Sequence, residues 1–396
     1  MLTQHRSNQA APGKEHAEDV VYPSTIPFVL VHLACLGAIW TGVTLEALVL
    51  CGALYGLRIF AIGAGYHRYF AHRAYKTSRI AQFLLAVLAQ SSAQRGILWW
   101  AAKHRRHHRH ADTVLDVHSP RQHGFLYAHL GWIFTPRHHV TDYYGDIPDF
   151  ARFPELVWLD RHPYLPAALL GLLTWLTAGW PGLVVGFCWS TVLLWHATFA
   201  INSIAHIAGR RRYVTGDDSR NNWFLAILTM GEGWHNNHHA YQASVRQGFR
   251  WWEYDPTFYV LKLLSWLGLV WDLQTPPEAV VRGEQRLGRK VIEKVAQQLA
   301  VGWPIERIAT RTQEALAETA VWSELQSRLV AARGQAEAFL AELHLPHVPS
   351  LEEIRGYAEA RLARTASLDD IARRTRQILL ESILTRLLKK AEAAAR

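Results

Sequence analysis

Four long apolar segments, arranged in two pairs, occupy the first half of the chain. The first pair is Ile26–Trp40 with Leu45–Gly65, and the second is Tyr164–Ala178 with Pro181–Ile201. Each pair is joined by a turn rich in Gly, Thr and Pro, and the segment lengths approach the roughly 20 residues that a helix needs to cross a bilayer. The pattern predicts two transmembrane hairpins. Because the first and third segments are short, two pairs of buried helices in a soluble protein are the alternative.

Basic residues give the predicted orientation of these hairpins. The turns within them carry no Lys or Arg, whereas Arg68, Arg73, Lys76 and Arg79 follow the second segment and residues 210–212 are all arginine. By the positive-inside rule, both termini lie in the cytosol. We therefore expect a multi-pass protein of a bacterial inner membrane.

Two features of the apolar regions, a glutamine-containing segment and a charged residue, depart from the hairpin pattern. Ile80–Leu98 is apolar but contains three glutamines, so we interpret it as a helix that dips into or lies on the membrane, with a full span as the alternative. Arg58 stands inside the second segment. An unpaired charge in the middle of a bilayer is costly, so this side chain must either snorkel to the interface or find a partner.

Charge and cysteine content exclude some classes of protein. The net charge is +9, but the positive residues flank the apolar segments and no DNA-binding motif occurs, so anionic lipids rather than nucleic acid are the expected partners. Three cysteines lie in apolar segments without CxxC spacing, as expected for small core residues. Residues 1–22 form a polar tail without the apolar core of a signal peptide, so we expect no cleavable leader.

The pattern changes from about Pro276, where charged residues of both signs alternate with apolar residues at helical spacing. We therefore divide the chain into the tail, a membrane domain with a cytosolic cap over 23–275, and a soluble helical extension over 276–396. Ser350 with Glu353 predicts a capping box and Ser367 a second helix start. The extension carries no chemical motif. Ile371–Ala391, which has a leucine stripe, has the membrane surface as an alternative location.

Nine histidines fall in four short clusters near the inner ends of the second and fourth apolar segments. The clusters are His67-Arg-Tyr-Phe-Ala-His72, His104-Arg-Arg-His107-His108, Asn202-Ser-Ile-Ala-His206 and His235-Asn-Asn-His238-His239. Residues three and four apart share a helix face, so each His-x-x-His-His directs three rings to one place. Five residues turn a regular helix by roughly 140°, so the two rings of the first cluster converge only if the helix is distorted or ends nearby.

This number of imidazoles predicts two metal ions, because one zinc ion takes about four ligands. A zinc-peptidase site is disfavoured, since HExxH and HxxEH motifs need a glutamate that these clusters lack. Imidazole suits zinc, copper, iron and nickel. Two redox-active ions held by neutral nitrogen ligands suit oxygen activation, so iron, cycling between Fe2+ and Fe3+, is the favoured metal.

Together, the three histidine boxes, their order, the hairpins and Asn202-x-x-x-His206 resemble the membrane-bound fatty acyl desaturases. The resemblance covers roughly Ile26 to Leu273 and is closest to the Δ9 acyl-CoA (stearoyl-CoA) desaturase group. The last box, within Gly231-Glu-Gly-Trp-His-Asn-Asn-His-His239, looks like that group's own form. Plant-type front-end desaturases carry Gln where this chain has His235.

The resemblance implies an all-α integral membrane protein with four transmembrane helices in two hairpins and a cytosolic helical cap that holds a His-rich dimetal site. It implies an oxidoreductase that uses O2 and two electrons to place a cis double bond, most simply at C9, in a saturated C16 or C18 acyl chain. Asn202 would hold one of two irons through a water. The implied direct ligands are His67, His72, His104, His107, His108, His206, His235, His238 and His239.

Tunnel residues follow from the same resemblance. Gln94, Trp100 and Thr198 match the residues that form the kink of the acyl tunnel beside the metals. Tyr55 and Ile59 match its closed end, where Ile59 replaces a small alanine and is expected to shorten the usable chain.

The cytosolic mouth departs from the family. Three residues that contact the CoA head group in animal enzymes correspond here to Arg95, Ala102 and Lys103, so acyl-CoA is the first choice of substrate, with acyl carrier protein and acyl-lipid as alternatives. No haem or iron–sulfur motif occurs, so a separate donor of ferredoxin, rubredoxin or cytochrome b5 type is expected.

Two other functions are alternatives for the same sequence. A fatty acyl hydroxylase would use the same metal site. A non-catalytic metal carrier would need ionisable groups along its spans, where we expect only lone, satisfied helix histidines at His32 and His196.

Overall fold

The computed structural model describes residues 25–135, 142–331, 334, 339 and 345–394, and most of this part of the chain is helical. The predicted polar tail, residues 1–22, lies outside the described residues. One ladder of two residues pairs Lys76–Thr77 with the antiparallel Val270–Trp271.

The chain divides into two compact units. The first unit contains the chain up to His206 together with Phe224–Glu232 and Asp255–Leu273, and the second contains Ile207–Trp223, Gly233–Tyr254 and Gln274–Arg396. The predicted extension therefore shares its unit with two segments that precede Pro276.

Helices of the first unit follow the predicted apolar segments and the histidine clusters. They are Thr25–Ala34, Cys35–Gly37, Ala38–Thr41, Leu45–Ala61, Ile62–Ala71, Arg79–Gln90, Ile97–His110, Pro120–His123, Phe125–His129, Gly131–Phe134, Tyr143–Asp146, Pro148–Ala151, Pro154–Arg161, Leu165–Pro181, Gly182–Trp189, Ser190–Ser203, Ile204–His206, Trp223–Leu228 (which begins one residue earlier, in the second unit) and Pro256–Trp266.

The first pair of predicted apolar segments forms two helical stretches joined by a short turn. Helical residues Thr25–Thr41 turn at Gly42, which has a φ of 75°, and the chain re-enters a helix at Leu45. The Thr44 hydroxyl accepts a hydrogen bond from the Ala47 N–H at 3.1 Å and so caps this helix. The returning helical stretch Leu45–Ala71 is 27 residues long and apolar enough to cross a membrane.

The second predicted hairpin lies within Leu165–His206, a helical stretch of 42 residues that is also long and apolar enough to span. Its backbone is non-helical at Gly179, where φ is 61°. On either side of this break, Gly171 packs against the ring of Phe187. The stretch is therefore two helices that fold back on each other.

The outer faces of these helices are strongly apolar. Leu33, Trp40, Leu45 and Leu176 are each more than half exposed. Soluble monomers rarely expose contiguous apolar surface on this scale. The exposure disfavours the alternative of buried helices in a soluble protein.

The segment Ile80–Leu98 is not one helix. Arg79–Gln90 has 12 residues, which rise about 18 Å and fall short of the roughly 30 Å of hydrocarbon. Gln90 ends this helix and donates to the Leu159 carbonyl at 3.0 Å, while its side-chain oxygen accepts from the Ile97 N–H at 2.8 Å. The full-span alternative is therefore wrong.

The second unit is helical as well. Its helices are His235–Ala240, Glu278–Arg282, Arg289–Val301, Ile305–Ala317, Ala320–Ala331, Leu351–Glu359 and Leu368–Ala394. The Ser350 capping box is confirmed, with both reciprocal hydrogen bonds to Glu353. The stripe of Leu368–Ala394, including Ile371, Leu379 and Leu387, is fully buried in the core of this unit. The alternative that this stripe faces a membrane is wrong.

Arg58 is completely buried and does not snorkel. Its guanidinium donates to the hydroxyl of Ser190 and, at 2.8 Å, to that of Thr191, and it lies over the ring of Phe187. Both hydroxyls also donate to carbonyls of their own helix. The charge is therefore held by hydrogen bonds between the second and fourth apolar segments.

Removing the hydroxyls should cost more stability than removing the charge. Ser190→Ala with Thr191→Val leaves a buried cation with fewer partners, which should cost about 3 kcal/mol or more. Arg58→Met leaves hydroxyls that keep their helix carbonyls, so the cost should stay below about 1.5 kcal/mol. The triple variant should recover stability, as measured by unfolding in detergent micelles. Equal destabilisation by both changes would show that the charge itself is stabilising.

Candidate dimetal site

The first histidine cluster lies on a distorted helix. Ile62–Ala71 is a π-helix, in which hydrogen bonds join residues five apart. The His72 N–H bonds to the His67 carbonyl at 3.1 Å, and their ring centroids are 4.9 Å apart. The prediction that these rings converge only if the helix is distorted or ends nearby is confirmed, since the helix is a π-helix and ends just before His72.

The second cluster extends from the helix Ile97–His110 toward the first. The Nε2 atom of His104 is 3.0 Å from that of His72 and 2.9 Å from that of His108. These three, with His67, place one nitrogen each within 4.8 Å of one another. Nitrogens about 3 Å apart fit around one ion at the roughly 2.0–2.1 Å typical of metal–imidazole bonds. The residues present in the first unit therefore fit a metal ion.

Buried carboxylates orient three of the histidines in the first unit. The Nδ1 of His107 donates to Asp116 and that of His206 to Asp112, both at 2.9 Å. His67 bonds to Glu232 through the same ring position. With Nδ1 occupied by a carboxylate, the Nε2 atom is left to face a metal, as in carboxylate–histidine–metal triads.

The fourth cluster, which is the last histidine box, lies in the second unit on the helix His235–Ala240. His239 donates from Nδ1 to Asp217 at 2.9 Å, and ligand nitrogens of His235 and His239 lie within 4.8 Å of each other. The same carboxylate arrangement thus recurs here. His238 is also buried.

Two asparagines between these histidines fix the helix. Asn236 accepts hydrogen bonds from the Arg212 N–H at 2.7 Å and the Tyr213 N–H at 2.8 Å. Asn237 donates to Glu253 at 2.8 Å. Both are fully buried, so these two side chains hold the helix in position.

Two of these carboxylates, Glu232 and Asp116, are ionised at neutral pH. Burial raises the pKa of Glu232, but His67 and the Arg68 guanidinium outweigh it and bring this pKa to about 2. Burial likewise opposes ionisation of Asp116, and His107 holds its pKa below the usual range. An ionised carboxylate favours the ring tautomer in which Nδ1 carries the proton.

Sequence reasoning missed these carboxylates and one further histidine. His118 is buried and stacks on His107 with centroids 4.3 Å apart, and burial lowers its pKa to about 3. The available signal was Asp112-Thr-Val-Leu-Asp116-Val-His118, which begins four residues after the last histidine of the second box, and Glu232, three residues before the third box.

The three predicted kink residues come together beside the histidines of the first unit. Gln94 donates to the Thr198 hydroxyl at 3.1 Å, and Trp100 stacks on His104 with centroids 4.9 Å apart. All three line a cavity of about 390 Å³ whose wall also includes Asn202.

A second, more apolar cavity adjoins the first. It has a volume of about 650 Å³ and includes Phe28, Val31 and Trp195. The two cavities share five lining residues, namely Gln94, Trp99, Trp100, Trp132 and Phe199. Mostly apolar cavities of roughly 300–1,000 Å³ with few polar groups are typical ligand sites.

The two residues predicted to form the closed end of the tunnel do not line either cavity. Ile59 is buried and the Tyr55 hydroxyl donates to the Leu228 carbonyl at 2.7 Å, but neither residue is among those that line the two cavities. Their role stays a prediction.

The predicted mouth residues lie at these cavities or beside them. Arg95 lines the larger cavity and Lys103 the smaller one, where burial lowers the Lys103 pKa. Ala102 is buried next to Lys103.

The expectation that His32 and His196 are lone histidines is wrong. Their Nε2 atoms lie 3.2 Å apart, and the other nitrogen of His196 is 3.1 Å from His129. His129 in turn contacts the Ser203 hydroxyl at 2.9 Å. Residues 164 positions apart in the chain form this contact, so local sequence gave no sign of it.

Comparisons with known proteins agree with the site. The profile of the fatty acid desaturase family matches residues 44–269. An acyl-CoA C20 Δ5-desaturase from Anemone leveillei is 38% identical over 255 residues, covering 62% of this chain and 80% of the relative. An sn-2 palmitoyl-lipid 9-desaturase from Nostoc sp. is 35% identical over 282 residues, covering 69% and 97%. An sn-1 stearoyl-lipid 9-desaturase from Anabaena variabilis is 35% identical over 263 residues, covering 63% and 93%.

The matched region contains all nine clustered histidines, whose local geometry in each unit fits the histidine boxes of a diiron site. Members of this family are membrane oxidoreductases of lipid metabolism. The chain belongs to the fatty acid desaturase family.

Proposed function

We propose that this protein is an O2-dependent Δ9 desaturase of stearoyl-CoA 9-desaturase type, which forms a cis double bond at C9 of a saturated C16 or C18 acyl chain. The observation that carries the proposal is that His104 of the histidine cluster and Trp100, which stack on each other, both line the smaller cavity beside the apolar one. A bound oxidant and an acyl methylene pair would meet there.

The metal ligands of the proposal are the nine clustered histidines, with Asn202 acting through a water. Two bound irons and O2 would supply the oxidising power needed to remove hydrogen from an unactivated chain. The carboxylates Asp112, Asp116, Asp217 and Glu232 orient the rings that they contact.

The cavity walls position the acyl chain. The hydrogen bond from Gln94 to Thr198 fixes one side, and Trp100 is held between Tyr66 and His104. In this proposal, the aromatic walls exclude water and guide the chain along a bent path past the metal-binding nitrogens. Close positioning of this kind lowers the entropic part of an activation barrier.

Acyl-CoA is the proposed substrate form. The basic side chains of Arg95 and Lys103 at the two cavities suit a phosphorylated carrier. Phosphopantetheine of an acyl carrier protein and phospholipid share this chemistry. The relatives named above include both acyl-CoA and acyl-lipid enzymes.

Four transmembrane helices with cytosolic termini complete the proposal. The two long stretches and the fold-back at Gly179 support two hairpins, and Thr25–Thr41 is the short partner of the first. We place the protein in a bacterial inner membrane with its metals facing the cytosol, where a separate electron donor delivers two electrons.

Expression in a host that lacks an oxygen-dependent desaturase tests the reaction. Gas chromatography of membrane lipids should show Δ9 monoenes with the wild-type chain. His107→Ala or His238→Ala should abolish them while leaving the protein in the membrane, because the helices do not depend on either ring. His162→Ala, which replaces an exposed histidine outside the clusters, should retain activity. Hydroxy fatty acids instead of monoenes would identify a hydroxylase, and an iron-loaded protein without any product would indicate a metal carrier.

Metal content tests the orienting carboxylates. Wild-type protein should contain about two irons and no zinc. Asp112→Asn keeps the shape but removes the charge beside His206, so iron affinity should fall by about 10–100-fold, measured by chelator competition. Asp272→Asn, at an exposed carboxylate paired with Lys76, is the matched control. Equal affinity in both variants would exclude an orienting role for Asp112.

Acyl chain length tests the tunnel end. Ile59→Ala should open space beside Tyr55 and raise the ratio of C18 to C16 product, since each buried CH2 contributes about 0.8 kcal/mol, or roughly a fourfold preference. The double bond should stay at C9. Val31→Ala, in the wall of the larger cavity, is the comparison. A length shift with Val31→Ala alone would place the chain end in that cavity.

A further inference from the structure

The second unit contains a cavity of about 610 Å³ that reaches a histidine box from the extension. Its wall includes His239, Thr215, Arg286 and Arg364. His239 is only 8% exposed, whereas both arginines are exposed. The cavity therefore runs from a basic outer rim to a buried proposed metal ligand.

The extension itself builds this cavity. The Leu287 N–H donates to the Ser367 hydroxyl at 2.8 Å, which joins the two segments that carry the rim arginines. Gln298 donates to the Gly216 carbonyl at 3.0 Å. Gly216 precedes Asp217, the carboxylate that bonds to His239. The extension is thus connected to the third histidine box through one short loop.

The rim has an uncompensated positive charge. The residues that line the cavity include Arg286 and Arg364 but no carboxylate. Neither arginine forms an ion pair with a carboxylate in the described part of the chain. Other arginines of the extension are paired, as in Arg374 with Glu293 and Arg386 with Glu306, both at 2.6 Å. An exposed pair of arginines without carboxylate partners is suited to bind an anionic group.

We propose that this cavity is the docking site of the electron donor, which presents an acidic surface segment to Arg286 and Arg364. The inference rests on the proposed function. Desaturation gives one O2 four electrons, two from the broken C–H bonds and two from the donor. Two hydrogens of the chain and two solvent protons complete two waters, and the donor leaves oxidised. Docking here brings the donor next to His239, one bond from the proposed metal.

Charge reversal at the rim tests the docking. The probes are two small acidic carriers, a [2Fe–2S] ferredoxin and the soluble domain of cytochrome b5, titrated onto the full-length protein in nanodiscs. At least one should bind wild type, and Arg286→Glu with Arg364→Glu should weaken that binding at least tenfold and remove most of its salt dependence. The milder pair Arg286→Ala with Arg364→Ala should give an intermediate value. Arg311→Glu, at an exposed arginine of the same extension away from the cavity, should bind like wild type.

Dithionite separates this proposal from the proposed function. Single-turnover product formation with chemically reduced protein bypasses the donor and should be equal in wild type and the charge-reversed variant. If dithionite-reduced wild type forms no product, the proposed desaturase function is contradicted and the proposed docking site is not. Unchanged affinity in the double variant, or no binding of either carrier to wild type, would overturn the docking site. If wild type binds free CoA and the double variant does not, the docking site is also overturned, because the cavity would then hold a small ligand.

Discussion

The bond between a buried carboxylate and the Nδ1 of a histidine is the interaction on which the site depends. It recurs at His67, His107, His206 and His239, each with a different acidic partner. An imidazole can rotate about its side chain and exchange its two nitrogens, so a histidine on a helix has no fixed donor direction by itself. The carboxylate fixes both the tautomer and the ring orientation, and the four bonds explain why so many acidic groups are buried in this protein.

Burying these acids requires compensation elsewhere in the first unit. Arg68 is fully buried and bonds to both Glu232 and Asp255 at 2.9 Å. An isolated buried charge is costly, whereas a paired and hydrogen-bonded one is tolerated. The π-helix that brings the proposed ligands His67 and His72 together also carries Arg68, so one local distortion serves both the candidate metal site and charge balance.

The extension takes part in the architecture of the histidine boxes. It shares a compact unit with the third box, and its helices pack on the loop that carries Asp217 through Val214 and Gly216. A segment without any chemical motif can still matter for chemistry when it holds the loop that orients a ligand. Burial of the leucine stripe of Leu368–Ala394 gives this support a stable core.

The sequence by itself determined the family, the nine clustered histidines and the apolar segments, because these follow from residue type and from patterns that are local in the chain. It also indicated that His67 and His72 need a distorted helix. Only the tertiary structure decided which carboxylates orient the rings, since Glu232 lies 165 positions from His67 and Asp112 lies 94 from His206. The partners of Arg58 and the contacts among His32, His196 and His129 were decided in the same way. Contacts between distant segments depend on how helices pack, and neither local periodicity nor composition records that packing.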